Sequence, residues 1–255
     1  MKIDFGRTAT DYAAHRAGFP DSLFERLEGF GIGRPAQRVV DLGTGTGTLA
    51  RGFARRGCRV IAIDPSAALL GQARHLDAAA RVRSAYLRSR AEASALAAGT
   101  ADVVSAGQCW HWFDRPAAAR EIARILRPEG RLLLAYFDWL PLAGNVVEAT
   151  EALIKRHNPD WAFAGGFGVH PWWLRDLGEA GYRDLETFSY DVAVPYTPEG
   201  WRGRIRASAG VAASLPEERV AIFDRDLERL LHERFPGEVL QIPHRVFAIV
   251  ARPPG

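Results

Sequence analysis

The sequence predicts an α/β protein with a doubly wound, mostly parallel sheet covered by helices on both faces. Three observations carry that expectation. Short, nearly continuous apolar runs recur through the first half of the chain, among them Val39-Val40-Asp41-Leu42 and Arg131 to Phe137. A sheet with one wet face would alternate apolar and polar residues instead. Helical stretches lie between these runs, and parallel strands need such crossovers. The first run ends in Gly43, Gly45 and Gly47, where the next helix begins.

The elements follow in order. Thr10 to Phe30 reads as helical, with a break at Phe19-Pro20-Asp21 and a fresh start at Asp21 or Ser22, because proline disfavours helix in the residue before it. Val39 to Leu42 is the first strand, and Thr48 to Arg56 is a helix closed by Gly57. Arg59 to Ile63 is a second buried strand ending at Asp64, followed by a helix from Ser66 to Ala80 with serine as its cap. Val82 to Leu87 is the third strand, Ala101 to Ala106 the fourth, Pro116 to Leu126 a helix, and Arg131 to Phe137 the fifth strand. After Asp138 the alternation changes. A helix from Val146 to His157 precedes a glycine- and aromatic-rich segment, Asn158 to Trp173, and Trp172 to Ala180 is again helical. Asp184 to Val194 and Val239 to Ala251 alternate as strands around a helical pair, which places them on an antiparallel edge of the sheet and brings the strands to seven.

Composition excludes several classes. With 255 residues, 47% hydrophobic and 25% charged, the chain can bury a core without staples, and a net charge of +3 does not suit a disordered chain. No apolar run approaches the roughly 18 residues of a membrane span. The start, Met-Lys-Ile-Asp-Phe-Gly-Arg, lacks the apolar stretch of a secretory signal. Cys58 and Cys109 make neither a disulfide framework nor a metal site, so a reducing, cytoplasmic setting is expected. Arginine supplies the positive charge, since Lys2 and Lys155 are the only lysines. Nine arginines fall between Gly47 and Arg90 against Asp64 and Asp77, a local charge of +7 (9 − 2). That reads as a solvated helical face, with docking of an acidic protein partner as the other reading, and not as a specific nucleic-acid site.

The chemistry sits in the strand, glycine loop, helix, strand and acid. Gly43-Thr44-Gly45-Thr46-Gly47 lets a ligand lie against bare backbone at a helix N-terminus, and Asp64 at the next strand tip can accept both hydroxyls of a ribose. Two cofactors fit. Read from Gly45, the loop is G-x-G-x-x-A with an acid about 20 residues on, as in a nicotinamide dinucleotide site. Read from Asp41, it is D-x-G-x-G-x-G. Asp41 favours the second: a carboxylate there suits an ammonium group and repels a pyrophosphate. The Tyr-x-x-x-Lys pair of short-chain dehydrogenases is also missing, because Glu151 stands four residues before Lys155.

D-x-G-x-G-x-G resembles motif I of class I S-adenosylmethionine-dependent methyltransferases. Ile63-Asp64-Pro65-Ser66 with Leu69 resembles their second motif, Arg90-Ala91-Glu92 the segment lining the adenine edge, and Gln108-Cys109-Trp110-His111-Trp112-Phe113-Asp114 the Q-x-x-H-W-F-D segment of the small-molecule branch that includes trans-aconitate methyltransferase-like proteins. Asp11 to Pro20 resembles that branch's opening helix, which closes over the cofactor. Ala93-Ser94-Ala95-Leu96 departs from the family's usual Leu-Pro turn.

The resemblance implies a Rossmann-like fold in one domain. Residues 1–37 would form a helical cap, 38–138 the cofactor core, and 139–255 a substrate-side insertion with the terminal strands. It implies S-adenosyl-L-methionine as cofactor and S-adenosyl-L-homocysteine as product. Tyr12, Arg16, Asp41, Gly43, Thr44, Gly45, Gly47, Asp64, Pro65, Leu69, Ala91, Glu92 and Gln108 would contact the cofactor, with no metal.

A small organic methyl acceptor carrying a hydroxyl, carboxylate or amine is expected, with no specific nucleic acid and no membrane. His111 would act as general base toward a neutral acceptor, or else be an interfacial histidine wedged between Trp110 and Trp112. Cys109, with no paired acid, is not read as a nucleophile. Trp110, Trp112, Trp161, Trp172 and Trp173 would enclose an aromatic or cationic acceptor or pack as core. Trp201-Arg202-Gly203-Arg204-Ile205-Arg206 would hold a carboxylate or start a solvated helix. The alternatives are a nucleic-acid methyltransferase, disfavoured because no proline follows Gly107-Gln108, a nicotinamide oxidoreductase, and a cofactor-binding protein without transferase activity.

Overall fold

The computed structural model describes His15 and residues 17–255. Tyr12 and Arg16 lie outside the described residues. Helix α1 spans Asp21–Glu28, starting directly after Pro20. Then follow β1 (Arg38–Leu42), α2 (Thr48–Arg55), β2 (Arg59–Ile63), α3 (Ala67–Ala79), β3 (Ala85–Leu87), β4 (Ala101–Gly107), a 3₁₀ turn (Trp110–Trp112), α4 (Arg115–Ile125) and β5 (Leu126–Trp139). The later elements are α5 (Val146–His157), α6 (Trp172–Glu179), β6 (Arg183–Tyr196), α7 (Pro198–Arg206), α8 (Glu217–Arg234) and β7 (Leu240–Arg252).

The strands form one seven-stranded sheet in the order β3-β2-β1-β4-β5-β7-β6, with an antiparallel edge after five parallel strands. In β1 every residue after Arg38 is buried, as a strand covered on both faces requires. The order reverses between β1 and β4, and ligands of open α/β sheets bind at the carboxyl ends of strands at such a switch. There Asp41 pairs in register with Ser105, and Leu42 with Ala106. Side-chain caps set the helix starts: Ser66 accepts from the Leu69 amide, Asp114 from Ala117, Asn145 from Glu148 and Thr197 from Gly200.

Two strand boundaries differ from the sequence expectation. β3 begins at Ala85 and not at Val82, because the end of α3 uses those residues. Arg81 adopts φ +55°, its N–H reaches the Ala78 carbonyl at 3.1 Å and the Val82 N–H reaches Asp77 at 3.0 Å, the paired bonds of a Schellman motif. β5 begins at Leu126, five residues early. Leu126 pairs with Ala101 and Arg131 with Val103, so residues 127–130 bulge out of the ladder.

The chain divides into two compact units. The first comprises Gly18–Phe137, Val169–Tyr190 and Val246–Gly255. Its core packs Val40, Leu42, Val104, Ile122, Leu134, Trp110, Tyr136 and Ile249 together, and each such aliphatic side chain contributes about 1.5–3 kcal/mol on burial. The second contains Asp138–Gly168 and Asp191–Arg245, with His15 and Ala17. Its core is Val147, Ile154, Trp201, Ile205, Phe223, Leu227 and Ile242. No helix among the described residues is long and apolar enough to cross a membrane.

Candidate active site

The glycine loop leaves β1 through three left-handed positions, with φ +63° at Gly43, +55° at Gly45 and +79° at Gly47. Each glycine meets a different neighbour. A β-carbon on Gly43 would come 2.8 Å from Cys109 Sγ, so the loop lies against the segment after β4. On Gly47 it would come 3.1 Å from the Tyr86 hydroxyl, with Ala73 of α3 next, so this glycine serves helix packing. On Gly45 it would meet nothing within 4 Å. Bare backbone facing open space at the start of α2 is the cradle an adenosyl or phosphate ligand fills.

Asp64 closes the cradle. Its carboxylate accepts the Gly45 N–H at 2.9 Å and the Ser66 N–H at 2.8 Å, tying the loop to the start of α3. The side chain is buried, and burial holds its pKa above the usual carboxylate value, against those two hydrogen bonds. Each oxygen keeps a second lone pair, so the group can still accept ribose hydroxyls. Pro65 is exposed beside it, and Leu69 is buried on α3 one turn on.

Asp41 lies deeper, buried in β1, and accepts the Ser105 hydroxyl at 2.7 Å. Burial pushes its pKa to about 6, partly offset by Ser105 and by the backbone of Ala50 in the first turn of α2. Gly47, the N-cap of α2, has no side chain to cap with, and Asp41 supplies a carboxylate from the neighbouring strand. Thr44 is buried beside it.

A raised folded pKa fixes a pH dependence. The folded chain keeps Asp41 protonated to about pH 6, whereas the free side chain ionises near 3.8. Its contribution to stability is full below the lower value and lost as pH rises through the upper one. Asp41→Asn cannot ionise and escapes that loss. Its melting temperature relative to wild type should therefore rise between about pH 4 and about pH 6, the span of the two pKa values. A difference constant with pH would place the ionised carboxylate in a better-solvated setting than its burial indicates.

After β4 the chain turns on Gln108, at φ +56°. The Gln108 side chain donates to the Phe137 carbonyl and its N–H to the Ala135 carbonyl, so β5 fixes the turn. Cys109 Sγ donates to the Leu42 carbonyl at 3.2 Å. Ala91 is buried in the first unit's core. Glu92 is half-buried: its carboxylate accepts the Asp114 N–H at 2.9 Å and pairs with Arg90 at 3.2 Å. Burial would raise its pKa, but these bonds outweigh it and hold the group low.

His111 is exposed on the 3₁₀ turn, so it is not wedged between tryptophans. Its Nδ1 lies 3.2 Å from the Tyr136 hydroxyl, and its ring tilts against Trp112 at 4.5 Å. Tyr136 is buried at the carboxyl end of β5, 3.9 Å from Trp173, which stacks on His170 at 3.8 Å. Trp110, Trp161 and Trp173 are buried in packing, and Trp112 and Trp172 are exposed. Ser105 and Tyr136 are the two partners that sequence reasoning missed. Their signal was a polar atom in an otherwise apolar strand at the depth of a site residue.

Residues 40–134, from β1 to the middle of β5, match the methyltransferase domain family. This stretch, 95 of the 255 residues, is similar to a methyltransferase domain. Over 153 residues the chain is 36% identical to an uncharacterised methyltransferase of Mycobacterium tuberculosis, covering 58% of this chain and 60% of that protein. A malonyl-[acyl-carrier protein] O-methyltransferase of Serratia marcescens is 34% identical over 149 residues, 58% and 55% of the two chains. The chain thus spans less than two thirds of these relatives' length. Among solved structures, a Haemonchus contortus phosphoethanolamine N-methyltransferase 2, with phosphomonomethylethanolamine and S-adenosylhomocysteine bound, superposes with TM-score 0.56 at 19% identity, covering 97% of this chain and 57% of that one. The YcgJ protein of Bacillus subtilis superposes with TM-score 0.58 at 17% identity, covering 92% and 98%. At such identities the likeness is one of fold. The matched stretch includes the loop, Asp64, Glu92 and His111, and stops just short of Tyr136.

Proposed function

We propose that the protein transfers a methyl group from S-adenosyl-L-methionine to a small organic acceptor. The observation that carries this reading is the open cradle at Gly45 with the Asp64 carboxylate 2.9 Å from its N–H, next to the buried Asp41. The cofactor supplies a methyl already activated by a sulfonium, for in-line displacement. Asp64 would accept the ribose hydroxyls, Gly43, Thr44 and Gly45 would offer backbone, Leu69 would pack on adenine, and Glu92 would line its edge. Asp41 would face the methionyl ammonium, an encounter that favours its ionised form and lowers its raised pKa. Gln108 and Gly43 set the wall beside the acceptor, where positioning and exclusion of water do most of the catalysis. His111 would take the proton from a hydroxyl or amine acceptor.

One relative, the malonyl-[acyl-carrier protein] O-methyltransferase of Serratia, supports methyl transfer to an oxygen of a small acyl group. It does not fix the acceptor of this chain.

The test is calorimetry with S-adenosyl-L-methionine, S-adenosyl-L-homocysteine and NAD in parallel. Both adenosyl compounds should bind with Kd of about 1–100 μM and NAD not at all, each tenfold step being worth about 1.4 kcal/mol. Micromolar NAD binding with no response to the sulfonium compound would overturn the assignment.

A further inference from the structure

Helix α7 carries Arg202, Arg204 and Arg206, and the three are held differently. Arg202 pairs with Asp224 at 2.5 Å, Glu228 at 2.5 Å and Glu199 at 3.1 Å. Arg206 pairs with Asp224 at 2.9 Å and Glu199 at 3.5 Å. Residues two apart on a helix point to different sides, and Arg204 turns away from these acids. Its guanidinium carbon lies 4.6 Å over the Trp139 ring, and the Tyr196 side chain hydrogen-bonds to it. Asp138 acts on it only through charge, and no ion pair among the described residues includes it. Burial accordingly draws its pKa down from the usual arginine value.

The surroundings of this guanidinium are fixed, and all belong to the second unit. Trp139 donates its indole N–H to Glu151 at 2.7 Å, and the buried Glu151 also accepts the Gly165 N–H at 2.7 Å. The indole therefore cannot swing from under Arg204. Tyr196 is buried and its hydroxyl accepts the Ala17 N–H at 3.1 Å. His15 packs on Gly203, where a β-carbon would come within 2.3 Å of its ring.

A cation withdrawn from water costs several kcal/mol unless an anion meets it, and a ring face returns only about 0.5–2 kcal/mol. A planar fork with five donors, one partner in Tyr196 and a positive charge that Asp138 only partly offsets match a single carboxylate. A phosphate dianion would bring twice the negative charge into the same partly desolvated place, beside Asp138. We propose that Arg204, on its Trp139 floor, binds the carboxylate of a small organic acid.

Calorimetry on the whole protein tests this with benzoate and malonate, benzamide as the neutral counterpart and inorganic phosphate as the other anion. Tryptophan fluorescence gives a second readout through Trp139. At least one carboxylate should bind, with benzamide and phosphate at least about tenfold weaker. Arg204→Met should weaken carboxylate binding by roughly 10–150-fold, the loss of hydrogen bonds to a charged group. Arg204→Lys, which keeps the charge without the fork, should fall between and decides the matter if the methionine variant does not fold. Equal carboxylate binding by wild type and the lysine variant would overturn the proposal. So would no carboxylate binding up to about 10 mM, or phosphate binding more tightly than both acids. No methyl donor enters these titrations, so their outcome is independent of the methyl-transfer reading.

Discussion

His111→Ala should lower turnover on a neutral hydroxyl or amine acceptor by about 10²–10⁴-fold, the usual share of general-base catalysis. The structure gives the imidazole the needed exposure and places the Tyr136 hydroxyl 3.2 Å from Nδ1. If Nδ1 carries the proton and donates to Tyr136, Nε2 is the basic nitrogen. Tyr136 is itself buried against Trp173, so the hydroxyl that orients the ring is held in place. Cofactor affinity, measured by calorimetry, should hardly change, because on the proposed reading Asp64 and the glycine loop would make those contacts. His111→Gln keeps polarity and reach without a base of useful pKa. A loss in alanine that glutamine restores would mean positioning, and a loss shared by both would mean proton transfer. With a carboxylate acceptor, ionised at neutral pH, both variants should lose little and the pH–rate profile should keep its shape. Full activity of both variants on a hydroxyl acceptor would remove His111 from the mechanism.

The sequence disclosed backbone features better than side-chain partners, and the reason is physical. Continuous apolar strands and capped helices follow from local chemistry, so β1, β2, β4 and α2 to α6 lie within a residue or two of their expected bounds. Gly43, Gly45 and Gly47 were legible because only glycine takes successive left-handed positions cheaply. The bounds of β3 and β5 were not, since a Schellman motif built on an arginine and a bulge over residues 127–130 leave no simple composition signal. Partners far apart in sequence depend on register. Ser105 meets Asp41 because β1 and β4 pair with that offset, and Tyr136 meets His111 because β5 runs beside β4. The arginines of α7 make the same point. All three look alike in sequence, yet Arg202 and Arg206 are neutralised by acids of α7 and α8 while Arg204 rests on Trp139.

Asp64→Ala should weaken binding of S-adenosyl-L-homocysteine by about 1.5–3 kcal/mol, roughly 10–150-fold in Kd, the range for hydrogen bonds to a charged group. The structure also buries Asp64, which holds the amides of Gly45 and Ser66. The alanine variant should therefore also melt a few degrees lower, since two N–H groups lose their acceptor, at about 1–3 kcal/mol for each that stays buried and unsatisfied. Asp64→Asn separates the two effects. Its single carbonyl oxygen can keep one amide while lacking the four lone-pair sites of a carboxylate. It should recover most of the melting temperature and little of the affinity. Because burial raises the Asp64 pKa, affinity for the wild type should fall on acidification at a pH above the ordinary carboxylate value, and Asp64→Asn should not show that fall. Asp41, at about 6, is the other group that titrates in the same direction, so the comparison is made in the Asp41→Asn background. If Asp64→Ala binds the nucleoside as tightly as wild type, the ribose role is lost and the carboxylate is only a brace for the loop.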